Sequence, residues 1–300
     1  MAHTEHQSEH LSKHLSEHHP EWLSVTRGDT PLLLSMPHGG TELAGLDGRV
    51  VSPWLARKDA DWWIDQVYAF AAELGATVVR TNISRTVIDV NRDPSGASLY
   101  PGQTTTGLCP TETFDGEPLY RAGDEPDATE IAQRRSAFFD PYHAALRREI
   151  DRLCAAHPRV VLYDCHSIRS VVPRLFDGVL PLYNLGTNGG ASADAQLTDS
   201  VRNILAASGQ PFVVNGRFKG GWITRHYGQP SLGVHALQME LADRGYLCEP
   251  DLPASGNWPA PFDPTVAAIT QRTLADVLVG ALAWARALPL SRQEPKEALP

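Results

Sequence analysis

Short, continuously apolar segments alternate along this chain with longer segments whose apolar residues recur at helical spacing. Strands are predicted where the apolar or β-branched residues are contiguous, at residues 31–36, 77–80, 86–90, 160–163, 212–215 and 234–241. Helices are predicted at residues 61–74, 129–156 (with a bend at Pro141), 193–208 and 265–286. Strands that alternate with helices build an α/β fold. We therefore predict a single domain with a central, mostly parallel or mixed sheet that is flanked by helices.

The boundaries of this domain follow from shifts in composition. Residues 1–20 contain six of the twelve histidines, four of them spaced so that one helix face would align them. This arm is predicted to be solvated and disordered, with metal binding as the alternative. Residues 21–287 form the predicted catalytic domain, and residues 288–300 a frayed tail. Residues 93–126 are rich in Gly, Pro, Thr and Asp, which is typical of a lid or wall over a site or of disorder.

The net charge of −9 argues against nucleic acid or an anionic membrane as the main partner. The four cysteines are widely spaced and form no C-x-x-C pair, so a disulfide framework or a thiolate zinc site is not expected. The first twenty residues lack the apolar core of a signal peptide, and no run approaches 18 apolar residues. We predict a cytoplasmic protein.

Two histidines follow apolar strands at the edge of the sheet where ligands bind in α/β folds. His38 and His166 each have a carboxylate nearby, which favours a metal site over a purely structural role. Asp164 lies two residues before His166 and therefore on the same strand face, where it would orient that ring. A catalytic zinc ion takes three protein ligands, and the candidates for the third are Glu42, Asp61 and, less favoured, Asp59.

Three other segments carry polar residues suited to catalysis. Arg85, Asp89 and Asn91 alternate along the segment 84–94, which is either a surface ion-pair cluster or part of a site for anions. Residues 215–228 combine glycines with cations and suit a small di-anionic ligand. Glu240 lies inside an apolar strand, where burial would raise its pKa toward the range of a general base.

These segments, in this order between Pro31 and Tyr246, resemble the N-formylglutamate deformylase (N-formylglutamate amidohydrolase) family. The residues that carry the resemblance are MPHGGTEL, DADW, SRTVIDVNR, TTGLCP, FDGEPLY, DCHSIRSVVPRLFDG, NLGTNGG, NGRFKGGWITRHYG and GVHALQMEL. The family is similar in plan to zinc carboxypeptidases and aspartoacylase-like enzymes, which use a His-x-x-Glu pair and a later histidine. Here the spacing from His38 to Glu42 is His-x-x-x-Glu, so Asp61 stays beside Glu42 as a candidate.

The resemblance implies a zinc-carboxypeptidase-like (phosphorylase/hydrolase-like) fold and hydrolysis of N-formyl-L-glutamate, a small anionic substrate, to formate and L-glutamate. This reaction is the last step of a histidine degradation route. The implied cofactor is a divalent metal, zinc first, with cobalt or iron as alternatives. It would be held by His38, His166 and the carboxylate of Glu42 or Asp61.

The resemblance also implies roles for the remaining polar residues. Glu240 resembles the general base of those relatives, and Arg85 their oxyanion arginine. The substrate carboxylates would be held by Asn91, Arg92, Arg225 and Lys219. His226 would orient the substrate or, equally, pack against Tyr227.

Three other functions remain open at this point. The first is a metallo-acylase of the same fold that acts on another N-acyl amino acid. The second is a thiol amidase that uses Cys165 with His166, although adjacent strand residues face opposite ways. The third is a metal-binding protein without catalytic activity that uses the histidine-rich arm.

Overall fold

The computed structural model describes residues 20–99, 102 and 105–287, which fold around one seven-stranded mixed sheet. The strands are β1 (Leu23–Thr26), β2 (Leu32–Met36), β3 (Thr77–Thr81), β4 (Val160–Ile168), β5 (Tyr183–Gly186), β6 (Phe212–Val214) and β7 (Val234–Ala242). Their order across the sheet is β1-β3-β2-β4-β7-β5-β6. The central strands β3, β2, β4 and β7 are parallel, whereas β1 and β5 pair antiparallel with β3 and β7. The predicted mixed α/β fold is confirmed.

Helices cover both faces of the sheet. They are α1 (Ile64–Val67), α2 (Ala128–Arg134), α3 (Asp140–Ala156), α4 (Ala195–Ala207), α5 (Trp222–Tyr227) and α6 (Pro264–Arg286). Side chains of α1, α4 and α6 share one apolar core layer with the odd-numbered residues of β4 and β7, such as Tyr163 and Met239. Side chains of α3 and α5 share the other layer with even-numbered residues such as Leu162 and Ala236. Because successive strand residues face opposite sides, the two layers divide the same strands between them.

The central strands end in polar residues on one face. Along β4 the buried residues Leu162, Asp164 and His166 follow one another on the face toward α3 and α5. Asp164 pairs in register with Gln238 of β7, and His166 with Glu240. The sheet register therefore places a histidine beside a glutamate at the carboxyl ends of two parallel strands. This is the edge where α/β proteins bind ligands.

The strand predicted at residues 86–90 is wrong, because this segment forms turns. The Ser84 carbonyl accepts the Val87 amide at 2.9 Å and the Ser84 hydroxyl accepts the Thr86 amide at 3.2 Å. These local bonds satisfy backbone groups that a strand would pair with a neighbour. The β-branched side chains are still buried, but in the irregular layer under α3.

The helix predicted at residues 61–74 is broken into α1 and a 3₁₀ turn at Ala69–Ala72. Trp63 adopts a left-handed backbone with φ of 61°, which interrupts the helix at its start. The long helix 129–156 is present as α2 and α3, joined by a π-helical turn at Arg135–Phe139 just before Pro141. Strands β1 and β5 and helix α5 were not predicted.

Helix α6 is long and apolar enough, by length and composition alone, to cross a membrane. One face of the helix, which includes Leu274, Val277 and Leu278, is buried in the core layer that it shares with α4, whereas Ile269 and Val279 are exposed. It is therefore the core helix of this domain. The predicted arm (apart from Pro20) and the predicted tail lie outside the described residues.

Candidate active site

Three buried donor atoms meet at the carboxyl ends of β2 and β4. His38 follows β2 directly, His166 lies within β4, and Asp61 lies just before α1. The Nδ1 atoms of the two histidines are 3.1 Å apart, and Asp61 Oδ2 lies 3.1 Å from His166 Nδ1 and 3.7 Å from His38 Nδ1. Asp61 reaches this position because its amide donates to the His38 carbonyl at 3.0 Å. The chain thereby folds the DADW segment back onto the first histidine.

Each histidine is held by a carboxylate on its far nitrogen. His38 Nε2 lies 2.7 Å from Asp89 Oδ1, and His166 Nε2 lies 2.9 Å from Asp164 Oδ2. Asp164 is itself held by the Ser35 hydroxyl, which donates to its Oδ1 at 2.9 Å. A histidine that donates Nε2–H to a carboxylate keeps the lone pair of Nδ1 for another partner. With both rings neutral and in this tautomer, their Nδ1 lone pairs would face the same small space, beside Asp61.

The dimensions of the cluster fit a divalent metal. Bonds of about 2.1 Å in a tetrahedral zinc site separate the ligand atoms by about 3.4 Å. The observed separations of 3.1, 3.1 and 3.7 Å lie on both sides of that value. Asp61 Oδ1 is also buried without a hydrogen-bond partner among the described residues. Two nitrogen donors and one carboxylate form the ligand set of many catalytic zinc sites.

Glu42 does not join this cluster. Gly40 packs so closely on the backbone of residues 82 and 83 that a Cβ there would lie 2.4 Å from the Asn82 carbonyl carbon. The chain after His38 therefore runs alongside residues 82–84, with the Glu42 amide donating to the Asn82 carbonyl at 2.8 Å. This path leaves the Glu42 side chain exposed. Of the two carboxylates left as alternatives for the third ligand, Asp61 therefore lies with the two histidines and Glu42 does not. Asp59 is also occupied elsewhere, since it accepts the Phe114 amide at 2.7 Å.

The electrostatics of the cluster are set by burial and by the surrounding ion pairs. Burial lowers the pKa of His38, assisted by the charge of Arg85, and favours the neutral ring that a metal requires. Burial opposes protonation of His166 too, but Asp164 and Asp61 raise its pKa well above the usual value. Burial alone would raise the pKa of Asp89, yet His38, Arg92 and Arg85 together hold it well below its usual value.

The turn at residues 85–91 delivers three side chains to the site. Arg85 Nη2 donates to Asp89 Oδ2 at 2.8 Å, and its Nη1 lies 3.6 Å from Asp61 Oδ1. Asn91 Nδ2 donates to Asp164 Oδ2 at 3.0 Å, while its Oδ1 accepts the Ile223 amide at 2.8 Å. The sequence predicted that Arg85, Asp89 and Asn91 lie on the same side of a strand. They do face the same site, but a turn and not a strand brings them there. Both the amide nitrogen and the amide oxygen of the Asn91 side chain are therefore hydrogen-bonded, and they hold Asp164 and the start of α5 in place.

Glu240 lies in the wall of the cleft beside the histidines. Its carboxylate accepts a hydrogen bond from Gln238 Nε2 at 3.2 Å, and Gln238 Oε1 accepts the Gly221 amide at 2.7 Å. Burial raises the pKa of Glu240 to about 7, against the opposing charges of His166 and Arg85. A carboxyl group with this pKa can take and return a proton near neutral pH. Gln238, which orients it, was not singled out from the sequence.

A cleft that is partly open to solvent connects these groups. Its cationic lining consists of Arg85, Arg92 and Arg217. The Arg92 guanidinium donates to the Thr106 hydroxyl at 2.9 Å, and Arg217 Nε donates to the Leu175 carbonyl at 2.7 Å. The other lining residues are His38, Asn91, Thr105, Thr106, Phe114, His166, Ile168, Leu175, Phe218, Gly221, Gln238 and Glu240. The segment 93–126, for which the sequence left open a lid or wall over a site or disorder, contributes three of them: Thr105, Thr106 and Phe114.

Three predicted substrate-binding residues do not line this cleft. Lys219 is exposed, Arg225 donates from Nε to the Gly220 carbonyl at 2.8 Å, and His226 is exposed and stacks on Trp222. The cation of this segment that does line the cleft is Arg217, which lies in the NGRFKGG motif but was not predicted to bind the substrate. The chain enters α5 at Trp222 and carries the later cations away from the cleft.

Cys165 is buried in the core layer opposite to His166. Burial also raises the pKa of its thiol well above the usual value. Both observations argue against the thiol amidase, because a nucleophile would need an accessible thiolate.

The residues of this site lie within the part of the chain that is similar to known proteins. Residues 30–247 match the family model described as N-formylglutamate amidohydrolase. The chain is 45% identical over 268 residues to N-formylglutamate deformylase of Pseudomonas aeruginosa, covering 89% of this chain and 98% of that protein. It is also 45% identical over 265 residues to N-formylglutamate deformylase of Pseudomonas putida, covering 87% of this chain and 96% of that protein.

Two crystal structures share the fold. An N-formylglutamate amidohydrolase from Ralstonia eutropha has a TM-score of 0.71 at 23% identity, covering 88% of this chain and 98% of that one. A gene product from Agrobacterium tumefaciens has a TM-score of 0.63 at 18% identity, covering 87% of this chain and 96% of that one. At these identities the two structures bear on the fold alone.

Proposed function

The chain belongs to the N-formylglutamate amidohydrolase family, and from that premise we propose that it hydrolyses N-formyl-L-glutamate to formate and L-glutamate with a divalent metal. It is an amidohydrolase, as its relatives are. The observation that carries the proposal is the convergence of His38, Asp61 and His166 on one buried point next to Glu240. The substrate is taken from the names of the relatives, whereas a place at the end of a histidine degradation route is proposed only on the resemblance to the family.

His38 and His166 through Nδ1, and Asp61 through a carboxylate oxygen, would hold the metal. When bound, a divalent ion at this point supplies Lewis acidity, which acidifies water and polarises the carbonyl oxygen of the substrate. Asp89 and Asp164 keep the two rings oriented by accepting their Nε2 protons. Zinc fits this donor set, and cobalt or iron are alternatives that the same ligands accommodate.

Glu240 serves as the general base. Its carboxylate removes a proton from the water that attacks the formyl carbon, and it then returns a proton to the departing amine. Arg85, 3.6 Å from Asp61 Oδ1, is close enough to the ligand cluster to stabilise the negative charge that develops on the carbonyl oxygen. The C–N bond breaks as that oxygen re-forms its double bond, which gives formate and the amine of glutamate.

Arg92 and Arg217 are proposed to bind the two carboxylates of the substrate. Both guanidinium groups line the cleft. A planar guanidinium can donate two parallel hydrogen bonds to one carboxylate, so a pair of arginines suits a di-anion. This assignment replaces Lys219 and Arg225 with Arg217, and it leaves Asn91 as a residue that positions Asp164.

The test is formate release from N-formyl-L-glutamate by protein loaded with zinc, cobalt or iron. Turnover is expected with at least one metal, with loss on chelation and recovery on metal addition. Absence of turnover with all three would refute the proposed function. N-acetyl- and N-succinyl-L-glutamate and N-formyl-L-aspartate, assayed side by side, test the alternative that another N-acyl amino acid is the better substrate.

A further inference from the structure

Phe114 forms part of the cleft wall next to the catalytic groups. Its ring lies under the Arg85 guanidinium, whose central carbon is 4.8 Å from the ring centroid. Arg85 in turn is 3.6 Å from the ligand Asp61. Resting on the proposed function, we propose that Phe114 limits the acyl group of the substrate to the size of a formyl group.

The position of the reacting carbonyl group follows from the proposed mechanism. Its oxygen must lie between Arg85 and the cluster of His38, Asp61 and His166, because these groups stabilise the developing charge. The amino-acid part of the substrate extends toward Arg92 and Arg217. The third substituent of the carbonyl carbon then faces the wall next to Arg85, which is Phe114. A formyl group has only a hydrogen atom in that direction, whereas an acetyl group has a methyl group.

The backbone of Phe114 is held by a hydrogen bond and by ion pairs of the residues next to it. Its amide donates to Asp59 Oδ2 at 2.7 Å, and Arg169 Nη2 contacts Asp59 at 3.4 Å and Asp115 at 2.8 Å. Lys58, itself buried, contacts Asp115 at 2.6 Å. The backbone that carries the ring is therefore held on both sides, and it cannot shift without breaking this hydrogen bond or these ion pairs.

The turn that follows Phe114 adds to this constraint. The Thr113 amide donates to the Glu117 carbonyl at 2.9 Å, and Gly116 adopts a φ of 88° that only glycine adopts readily. A wall that cannot move rejects a larger acyl group sterically, whereas a mobile loop would adapt to it.

Phe218 offers a matched control. It also lines the cleft, but it follows Arg217, at the end where the amino-acid part is proposed to bind. Truncation of this ring removes the same type of side chain from the other wall. It is expected to change substrate affinity without changing the choice of acyl group.

The experiment measures kcat/KM for N-formyl-, N-acetyl- and N-propionyl-L-glutamate with the parent enzyme and the variants Phe114→Ala, Phe114→Leu and Phe218→Leu. The readout is the acetyl-to-formyl ratio, because loss of the ring under Arg85 also lowers the formyl rate. One extra methyl group in a tight pocket typically changes kcat/KM by about 10- to 200-fold. The ratio is therefore expected to rise by about 10-fold or more in Phe114→Ala. It should rise less in Phe114→Leu and stay unchanged in Phe218→Leu.

A second variant tests the role of the Phe114 wall without changing Phe114 itself. Asp115→Asn weakens the contacts to Lys58 and Arg169 that fix the backbone, so it should raise the same ratio if the rigid wall is the cause. This variant also keeps the inference testable if Phe114→Ala does not fold.

The outcomes separate this inference from the proposed function. An unchanged ratio in folded Phe114 variants that still hydrolyse the formyl substrate would overturn the inference alone. An equal rise in Phe218→Leu would also overturn it. A parent enzyme that is inactive on N-formyl-L-glutamate with every metal would overturn both.

Discussion

Replacement of Asp89 by asparagine tests whether the carboxylate behind His38 supports a metal site. Asp89 is fully buried. Its Oδ1 lies 2.7 Å from His38 Nε2, and its Oδ2 accepts a hydrogen bond from Arg85 Nη2 at 2.8 Å. Asparagine keeps the shape of the side chain but removes its charge. Loss of a carboxylate that orients a histidine ligand typically lowers metal affinity by about 10- to 100-fold. We expect a reduction of that size in the zinc affinity of Asp89→Asn.

The same change should also destabilise the protein. Removal of one partner from a buried ion pair costs about 3–5 kcal/mol, because the other charge stays buried without compensation. Glu149→Gln supplies the matched control, since Glu149 is a fully buried carboxylate that accepts from Arg27 at 2.8 Å and Arg152 at 2.7 Å. Arg27 and Arg152 do not line the cleft. Glu149→Gln should therefore lower the free energy of unfolding without a change in metal affinity.

The assay is competition for zinc against a chromophoric chelator, combined with thermal unfolding of the metal-free proteins. The expected pattern is lower stability in both variants and weaker zinc binding in Asp89→Asn alone. If Asp89→Asn binds zinc as tightly as the parent, His38 is not a metal ligand held by Asp89. If Glu149→Gln loses zinc affinity to the same extent, the effect reports stability and not the site.

Three further predictions concern catalysis. Glu240→Gln should lower kcat by about 100- to 10,000-fold and leave the bound metal in place, because it removes only the proton acceptor; near-normal kcat would exclude Glu240 as the base. Glu240 acts as a base only when it is deprotonated, and burial raises its pKa to about 7. A bound cation lowers this pKa, so kcat/KM should fall as the pH is lowered through an apparent pKa of about 7 or less. An acidic limb that persists unchanged in the residual activity of Glu240→Gln would assign it to another group. Arg217→Met should raise KM for N-formyl-L-glutamate by about 10- to 100-fold with little change in kcat, the effect of a lost charge-assisted hydrogen bond. Lys219→Met, the parallel change of an exposed cation, should leave KM unchanged, and the reverse pattern would restore Lys219 as the substrate-binding residue.

The fold could be predicted from the sequence wherever one signal dominated. Strand β4 begins with four contiguous apolar residues and β7 is mostly apolar, because both faces of these strands are covered by helices, and this pattern identified them. Residues 86–90 misled the same reasoning, since β-branched residues also fill an irregular core layer when nearby hydroxyl groups bond to the backbone. Strand β5, with the sequence YNLG, contains too few apolar residues to be recognised.

The candidate site divides in the same way. His38, His166 and Glu240 were recognised because polar residues at the ends of apolar strands are unusual. The choice between Asp61 and Glu42 could not be made from spacing, since it depends on the close approach of Gly40 to the backbone of Asn82. The sequence does not show which of the cations in residues 217–225 lines the cleft. Arg217 lines it and Arg225 does not, because α5 begins between them.

A zinc titration tests whether hydrolysis of N-formyl-L-glutamate requires a metal held by His38, Asp61 and His166. Metal-free protein is reconstituted with increasing zinc, and bound zinc and formate release are measured on the same samples. We expect turnover to rise linearly to a plateau at one metal ion per chain, and Asp61→Asn to show neither tight binding nor turnover. Full turnover by the metal-free protein, or by Asp61→Asn without bound metal, would contradict this requirement.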